Sequence, residues 1–183
     1  MKRRMYMGIC IILILFTRIQ AQDIDLKKQP GYIDLEQIQI PHQAVKITNI
    51  SLGPPLLRIA TQTVNGDEEL SKTLSGIFSI QIKSFEIDSI IAHEIRPKIK
   101  EIEDKLNKED WQNLVQVMDN NEYTNVSMKY DKGKPVGILV MSLENGEASF
   151  VNIVGTIDLE QLGNLGIGLT DSVFYNLEKS IEK

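Results

Sequence analysis

The chain has 183 residues, a formal net charge of −5, 42% hydrophobic residues and a single cysteine. That length suits one packed domain, because a chain of roughly 150 residues already buries about 70% of the surface it exposes when unfolded. The acidic balance argues against nucleic acid and anionic membranes, which recruit clusters of Lys and Arg.

Lys2, Arg3 and Arg4 precede an apolar run from Met5 to Phe16, and Gln20-Ala21-Gln22 follows with a small residue at its centre. This pattern predicts a secretory signal peptide over residues 1–21, cut after Ala21. The run is too short for the roughly 20 apolar residues of a spanning helix, so no membrane span is expected once it is removed. Cys10 follows Ile9 inside the run, which does not fit a lipoprotein site. Cleavage would leave 162 residues (183 less 21) without cysteine, and the loss of Lys2, Arg3, Arg4 and Arg18 would take the net charge from −5 to −9. The expected location is the periplasm or the exterior, with no lipid anchor.

Residues 22–43 form an irregular segment punctuated by Pro30, Gly31 and Pro41, and residues 44–183 are expected to form the α+β domain. Within the segment, Gly31-Tyr32-Ile33-Asp34-Leu35-Glu36-Gln37-Ile38 is echoed by Gly155-Thr156-Ile157-Asp158-Leu159-Glu160-Gln161-Leu162. The copies read either as two capped helical turns or as a duplicated docking element. The shared Asp and Gln are those a capping box requires, which favours the first reading.

Val45 and Ile47 alternate with Lys46 and Thr48 as a half-buried strand. Ser51 is placed to cap a helix that contains Pro54 and Pro55 in its first turn, and Asn65-Gly66 ends it. A second short helix starts at Asp67 and closes at Gly76. Phe78, Ile80 and Ile82 then alternate with Ser79, Gln81 and Lys83, predicting a one-sided strand with the polar residues outward. Ile91, Ile95, Ile99, Ile102 and Leu106 form a helical stripe, with a kink or a fresh start expected at Pro97. His93 falls off the stripe and is expected to face water.

The rest reads as a meander with strands over Leu114–Met118, Tyr123–Tyr130, Val136–Leu143 and Ala148–Val154. Trp111 is expected to anchor the core just before it, and Ile138-Leu139-Val140-Met141, apolar on both sides, predicts a central strand. Asp158 is expected to cap a short helix ended by Gly163, Gly166 and Gly168, before a terminal helix from Thr170 or Asp171. The fold class is α+β: a single domain with a mixed, largely antiparallel sheet, helices mainly on one face and a C-terminal four-strand meander.

Taken together, Pro30-Gly31-Tyr32-Ile33-Asp34, the strand Ser79 to Phe85, the Trp111 region and Phe150-Val151-Asn152-Ile153-Val154-Gly155 followed by Ile157-Asp158-Leu159-Glu160-Gln161-Leu162 resemble the family called domain of unknown function 4252. The resemblance implies a small exported α+β protein of the cell envelope of bacteria of the Bacteroidota type. It brings no catalytic residues with it.

The chemistry-bearing residues point to no reaction. His42 and His93 stand far apart, so no metal site is expected. Asp119, Asn120, Asn121 and Glu122 lack the calcium-loop spacing and read as a turn. Glu101, Glu103 and Asp104 lie beside Lys98, Lys100, Lys105 and Lys108 as a solvated helix face. No Ser forms part of a nucleophile motif; Ser127-Met128-Lys129 and Ser142-Leu143-Glu144 do not match. Gly163, Gly166 and Gly168 do not make a dinucleotide fingerprint. Asn49-Ile50-Ser51 and Asn125-Val126-Ser127 fit a glycosylation pattern but read as strand residues. No catalytic, cofactor-binding or metal-binding residue is assigned, and no cofactor is expected. The expected function is a non-enzymatic binding or interaction module for an envelope protein or small ligand. A hydrolase built from dispersed carboxylates, or a carrier of a small apolar ligand, is the alternative. Asn152, polar in an apolar strand, is the one residue left without a role; if buried it needs a partner.

Overall fold

The computed structural model describes residues 25–63, 68–119, 122–144 and 146–158, with the side chains of residues 69–70 and 89–93 outside that set. The expected leader, the Asn65-Gly66 helix end, the start at Asp67, the glycines beyond Asp158, the terminal helix and the outward placing of His93 therefore lie outside the described residues.

Six strands form one open antiparallel sheet. They are β1 (Val45–Leu52), β2 (Ile77–Glu86), β3 (Trp111–Met118), β4 (Tyr123–Asp131), β5 (Lys134–Glu144) and β6 (Glu147–Gly155). Their spatial order is β1-β2-β6-β5-β4-β3. Strands β3 to β6 are the expected meander, each paired with the next. Strand β2 then pairs with β6, and β1 lies outside β2 as an edge. Turn chemistry sets these joints. Lys132 and Gly133 have φ of 50° and 76° between the paired Asp131 and Lys134, the two positive values of a type I′ turn, which matches the twist of the flanking strands. Gly146, at φ 78°, occupies the tight connection from β5 to β6.

Helices α1 (Pro54–Thr63), α2 (Glu68–Gly76) and α3 (Ser89–Lys108) complete the α+β domain. Ser51 does not cap α1: it belongs to β1, and the Gly53 carbonyl accepts from the Leu57 amide at 3.1 Å instead. Helix α3 runs as one element through Pro97, whose side chain is exposed.

The registers divide the inward side chains between two faces. On the first, Phe85, Phe150, Leu139, Met141, Leu143, Tyr123 and Trp111 pack with Ile95, Ile99 and Leu106 of α3 and with Ile33, Leu35 and Ile38 of the N-terminal segment. On the second, Ile80, Ile153, Val151, Ile138, Val140, Val126 and Met128 pack with Leu57 of α1, Leu74 of α2 and Ile157. The long helix thus covers one face and the α1–α2 pair the other. Strand β5, buried on both sides along Gly137–Leu143, is central as its sequence predicts.

Two strands depart from their expected exposure. Strand β1 is exposed along Val45–Ser51 instead of half-buried, because it is the sheet edge and its register shifts between Val45 and Thr48, where Lys46 takes φ 50°. Strand β2 buries Ser79, Gln81 and Lys83, the side expected to face water, and the N-terminal segment lies across Gln81 and Lys83.

Candidate functional site

The row of polar side chains on the first face gives Asn152 its role. Asn152 is fully buried on β6. Its Oδ1 accepts from the Ile33 amide at 3.0 Å, and its Nδ2 donates to the Gly31 and Ile138 carbonyls at 3.1 Å each. Both amide hydrogens and the carbonyl oxygen are engaged, which a buried carboxamide requires. One strand over, Gln81 Nε2 donates to the Ile33 carbonyl at 3.2 Å, and Lys83 Nζ donates to the carbonyls of Leu35 and Ile38 at 3.0 and 2.8 Å. Burial holds the Lys83 amine below the usual lysine range, opposed by the charges of Glu36 and Asp34.

These three side chains read mostly main chain, with Gln81 also meeting the Tyr32 hydroxyl. The segment they hold carries a 3-10 turn, Leu35–Gln37, capped as its sequence predicts: the Asp34 carboxylate accepts from the Glu36 amide at 3.1 Å and from Gln37 Nε2 at 3.3 Å. The close approach at its start needs glycine twice, since a Cβ on Gly31 would strike the Val136 carbonyl and the Gly137 backbone, and one on Gly137 would strike Gly31. The echoed copy follows the same plan on the opposite face. Gly155, at φ 147°, leaves no room for a Cβ beside Gly76 and Ile77, and Ile157 two residues on is buried in the second core. The repeat is thus a glycine pressed on backbone followed by an isoleucine in the core, used once on each face.

A second polar feature lies between the C-terminal half of α3 and strands β3 and β4, a cleft of ≈ 110 Å³ lined by Lys100, Glu103, Asn113, Gln116, Asn125 and Ser127 among others. The sequence groups Glu103 with the solvated face of Glu101 and Asp104; the structure leaves those two exposed and turns Glu103 inward. Its Oε1 accepts from the Tyr123 hydroxyl at 2.6 Å, Gln116 Nε2 at 2.9 Å and Asn125 Nδ2 at 3.4 Å. Ser127 Oγ donates to Asn125 Oδ1 at 2.7 Å. Burial, together with the Glu103 carboxylate beside it, pushes the Tyr123 phenol far above its usual value, so it stays protonated and donates. Lys100 reaches Glu103 at 3.6 Å and Asp104 at 3.2 Å. The signal for Glu103 was its place four residues after Ile99 and three before Leu106, on the border of the buried stripe. The cleft is polar and far below the roughly 300 Å³ at which small-molecule pockets begin. Its carboxylate is occupied in tying α3 to the sheet, and it offers no chamber for an apolar ligand.

The third feature is a set of exposed apolar side chains on β1 and α1. Val45 and Ile47 of β1 are 56% and 54% exposed, and Leu56 and Ile59 of α1 are 52% and 56% exposed, with Ile50 between them in sequence at 40%. Residues 45–63 carry Lys46 and Arg58 as their only charges and no carboxylate. Lys46 is paired with Glu86 of β2.

The remaining chemistry-bearing residues stay apart. His42 is exposed, Asp119 and Glu122 close the β3–β4 turn through a 3.0 Å backbone bond, and Asn49 is exposed on β1. Asn125 is buried and bonded, so it is no glycan acceptor in the folded chain. Among the described residues no group of three or more His, Cys, Asp or Glu side chains is placed to hold a metal, and no helix is long and apolar enough to cross a membrane.

A family model described as a domain of unknown function, DUF4252, matches residues 42–165. No curated protein and no solved structure matches the chain. The matched span is more than half of the chain, and the protein belongs to the DUF4252 family.

Proposed function

We propose that this DUF4252 protein is an exported, non-enzymatic interaction domain of the cell envelope that docks an extended apolar strand with acidic flanks along β1 and α1. The observation that carries the reading is the β1 edge. Sheet edges in soluble proteins are commonly guarded by Pro, by unpaired charge or by a covering element. Strand β1 has no proline, its one charge is paired to Glu86, and Val45, Ile47 and Ile50 are exposed on it, as are Leu56 and Ile59 on α1. An added strand would gain ladder hydrogen bonds from the outer side of β1, which pairs with no further strand among the described residues, while side chains at alternate positions find apolar contacts.

Charge selects the partner. Lys46 is already paired to Glu86, which leaves Arg58 exposed on α1, so a strand flanked by Asp or Glu meets Arg58 favourably, whereas residues 45–63 of a second copy bring no carboxylate to it. Export is supported by the basic-apolar-small pattern of residues 1–21.

The test is a photoreactive side chain placed at Ile47, at Ile59 and, as a control on the β4–β5 turn, at Lys132, each irradiated in native envelope. The expected result is one common adduct from the first two positions and none from the third, with the crosslink mapping to an extended segment flanked by Asp or Glu. Equal adducts at all three, a crosslink only to a second copy, or no adduct would contradict the proposal.

A further inference from the structure

We infer that the first face of the sheet carries a second binding site, a groove for an extended peptide of the pattern Gly-x-Ile-Asp-Leu-Glu, which residues 31–38 fill in cis as a strap. The inference rests on a different surface from the β1 edge and stands independently of it.

The groove is built from strands and the strap from loop. Asn152, Gln81, Lys83 and Gly137 lie on β6, β2 and β5, inside the span 42–165 that defines the family; the strap lies before residue 42. Most polar contacts the three side chains make with the strap go to main chain, namely the Ile33 amide and the carbonyls of Gly31, Ile33, Leu35 and Ile38; Gln81 also meets the Tyr32 hydroxyl, and Lys83 faces the charges of Glu36 and Asp34. Main-chain reading supplies affinity without fixing sequence, and pockets supply the selectivity. Here Ile33, Leu35 and Ile38 enter the core, and Gly31 is the residue that fits against Gly137. Gln39 to Ala44 join the strap to β1 without helix or strand, so occupant and groove are linked by a short irregular tether. A buried lysine bonded to two carbonyls suits a seat whose occupant arrives as backbone, because an amine has only donors to offer.

The strap competes with any peptide in trans. If it is docked in 99% of molecules, the apparent affinity for a free peptide falls about 100-fold. The experiment uses the full chain and a fluorescent peptide of residues 29–40, read by anisotropy. Ile33→Asp should loosen the strap, and that variant should bind the peptide about 100-fold more tightly than the wild type. Failure of a folded Ile33→Asp protein to bind would overturn the inference. A second form, with a protease site inserted between Gln39 and Gln43 of the otherwise natural chain, covers the case in which that variant does not fold. After cutting, the strap should remain bound on gel filtration and exchange with labelled peptide. Unfolding on cleavage, or a strap that never exchanges, would overturn the inference as well.

Discussion

Asn152→Ala isolates the residue that ties the strap to the sheet. The substitution strips the Ile33 amide and the Gly31 carbonyl of their partner, along with one bond to the Ile138 carbonyl. A buried polar group left unpaired costs about 1–3 kcal/mol. Two orphaned groups could therefore cost ~2–6 kcal/mol, but the strap can escape part of that by lifting into water. The loss is then capped by the free energy with which the strap docks, and about 3 kcal/mol is the expected size against a total stability of roughly 5–15 kcal/mol. For a domain of this size that corresponds to a fall of roughly 10 °C in Tm, read by circular dichroism with the sheet signal retained below the transition. A change in Tm of less than about 2 °C would refute the argument that Asn152 holds the strap.

Three further outcomes follow from the geometry. Gly31→Ala and Gly137→Ala each place a Cβ into the same backbone contact, so each should lower Tm and the double variant should cost less than the sum, as expected for one shared contact. Tyr123 has its folded pKa raised above the 10.0 of an ordinary tyrosine, so its contribution is complete below pH 10.0 and declines as pH rises beyond it. Alkaline denaturation should thus be less steep above pH 10.0 for Tyr123→Phe than for the wild type, and equal slopes would count against the buried bond to Glu103. Trp111 is buried with its indole Nε1 unpaired; Trp111→Phe should cost less than about 1 kcal/mol in denaturant unfolding, because removal of an orphaned donor offsets lost packing.

The sheet was legible where local chemistry decides structure. Asn145-Gly146, Asp131-Lys132-Gly133 and the double-sided run Ile138 to Met141 carry their own turn and burial signals, and the meander follows them. Burial that depends on distant chain was not legible. The alternation of β2 marks Gln81 and Lys83 as outward, and the strap, 48 residues earlier at the Gln81–Ile33 and Lys83–Leu35 bonds, makes them interior. Asn152 announces itself as a polar residue among apolar ones, yet its partners in the strap lie 119 and 121 residues away. Glu103 was hidden by its neighbours, since Lys100 and Asp104 make it look like one member of a solvated face. Strand β1 alternates like a half-buried strand, but alternation does not say which strand ends at an edge.

Residue-resolved hydrogen exchange tests most directly whether the strap is a separable layer held through its main chain. The Ile33 and Ile38 amides should exchange through a local opening, ahead of the Val151 and Ile153 amides of β6, and Asn152→Ala should accelerate the strap far more than the strand. A single exchange rate shared by strap and β6 in both proteins, set by global unfolding, would contradict the account.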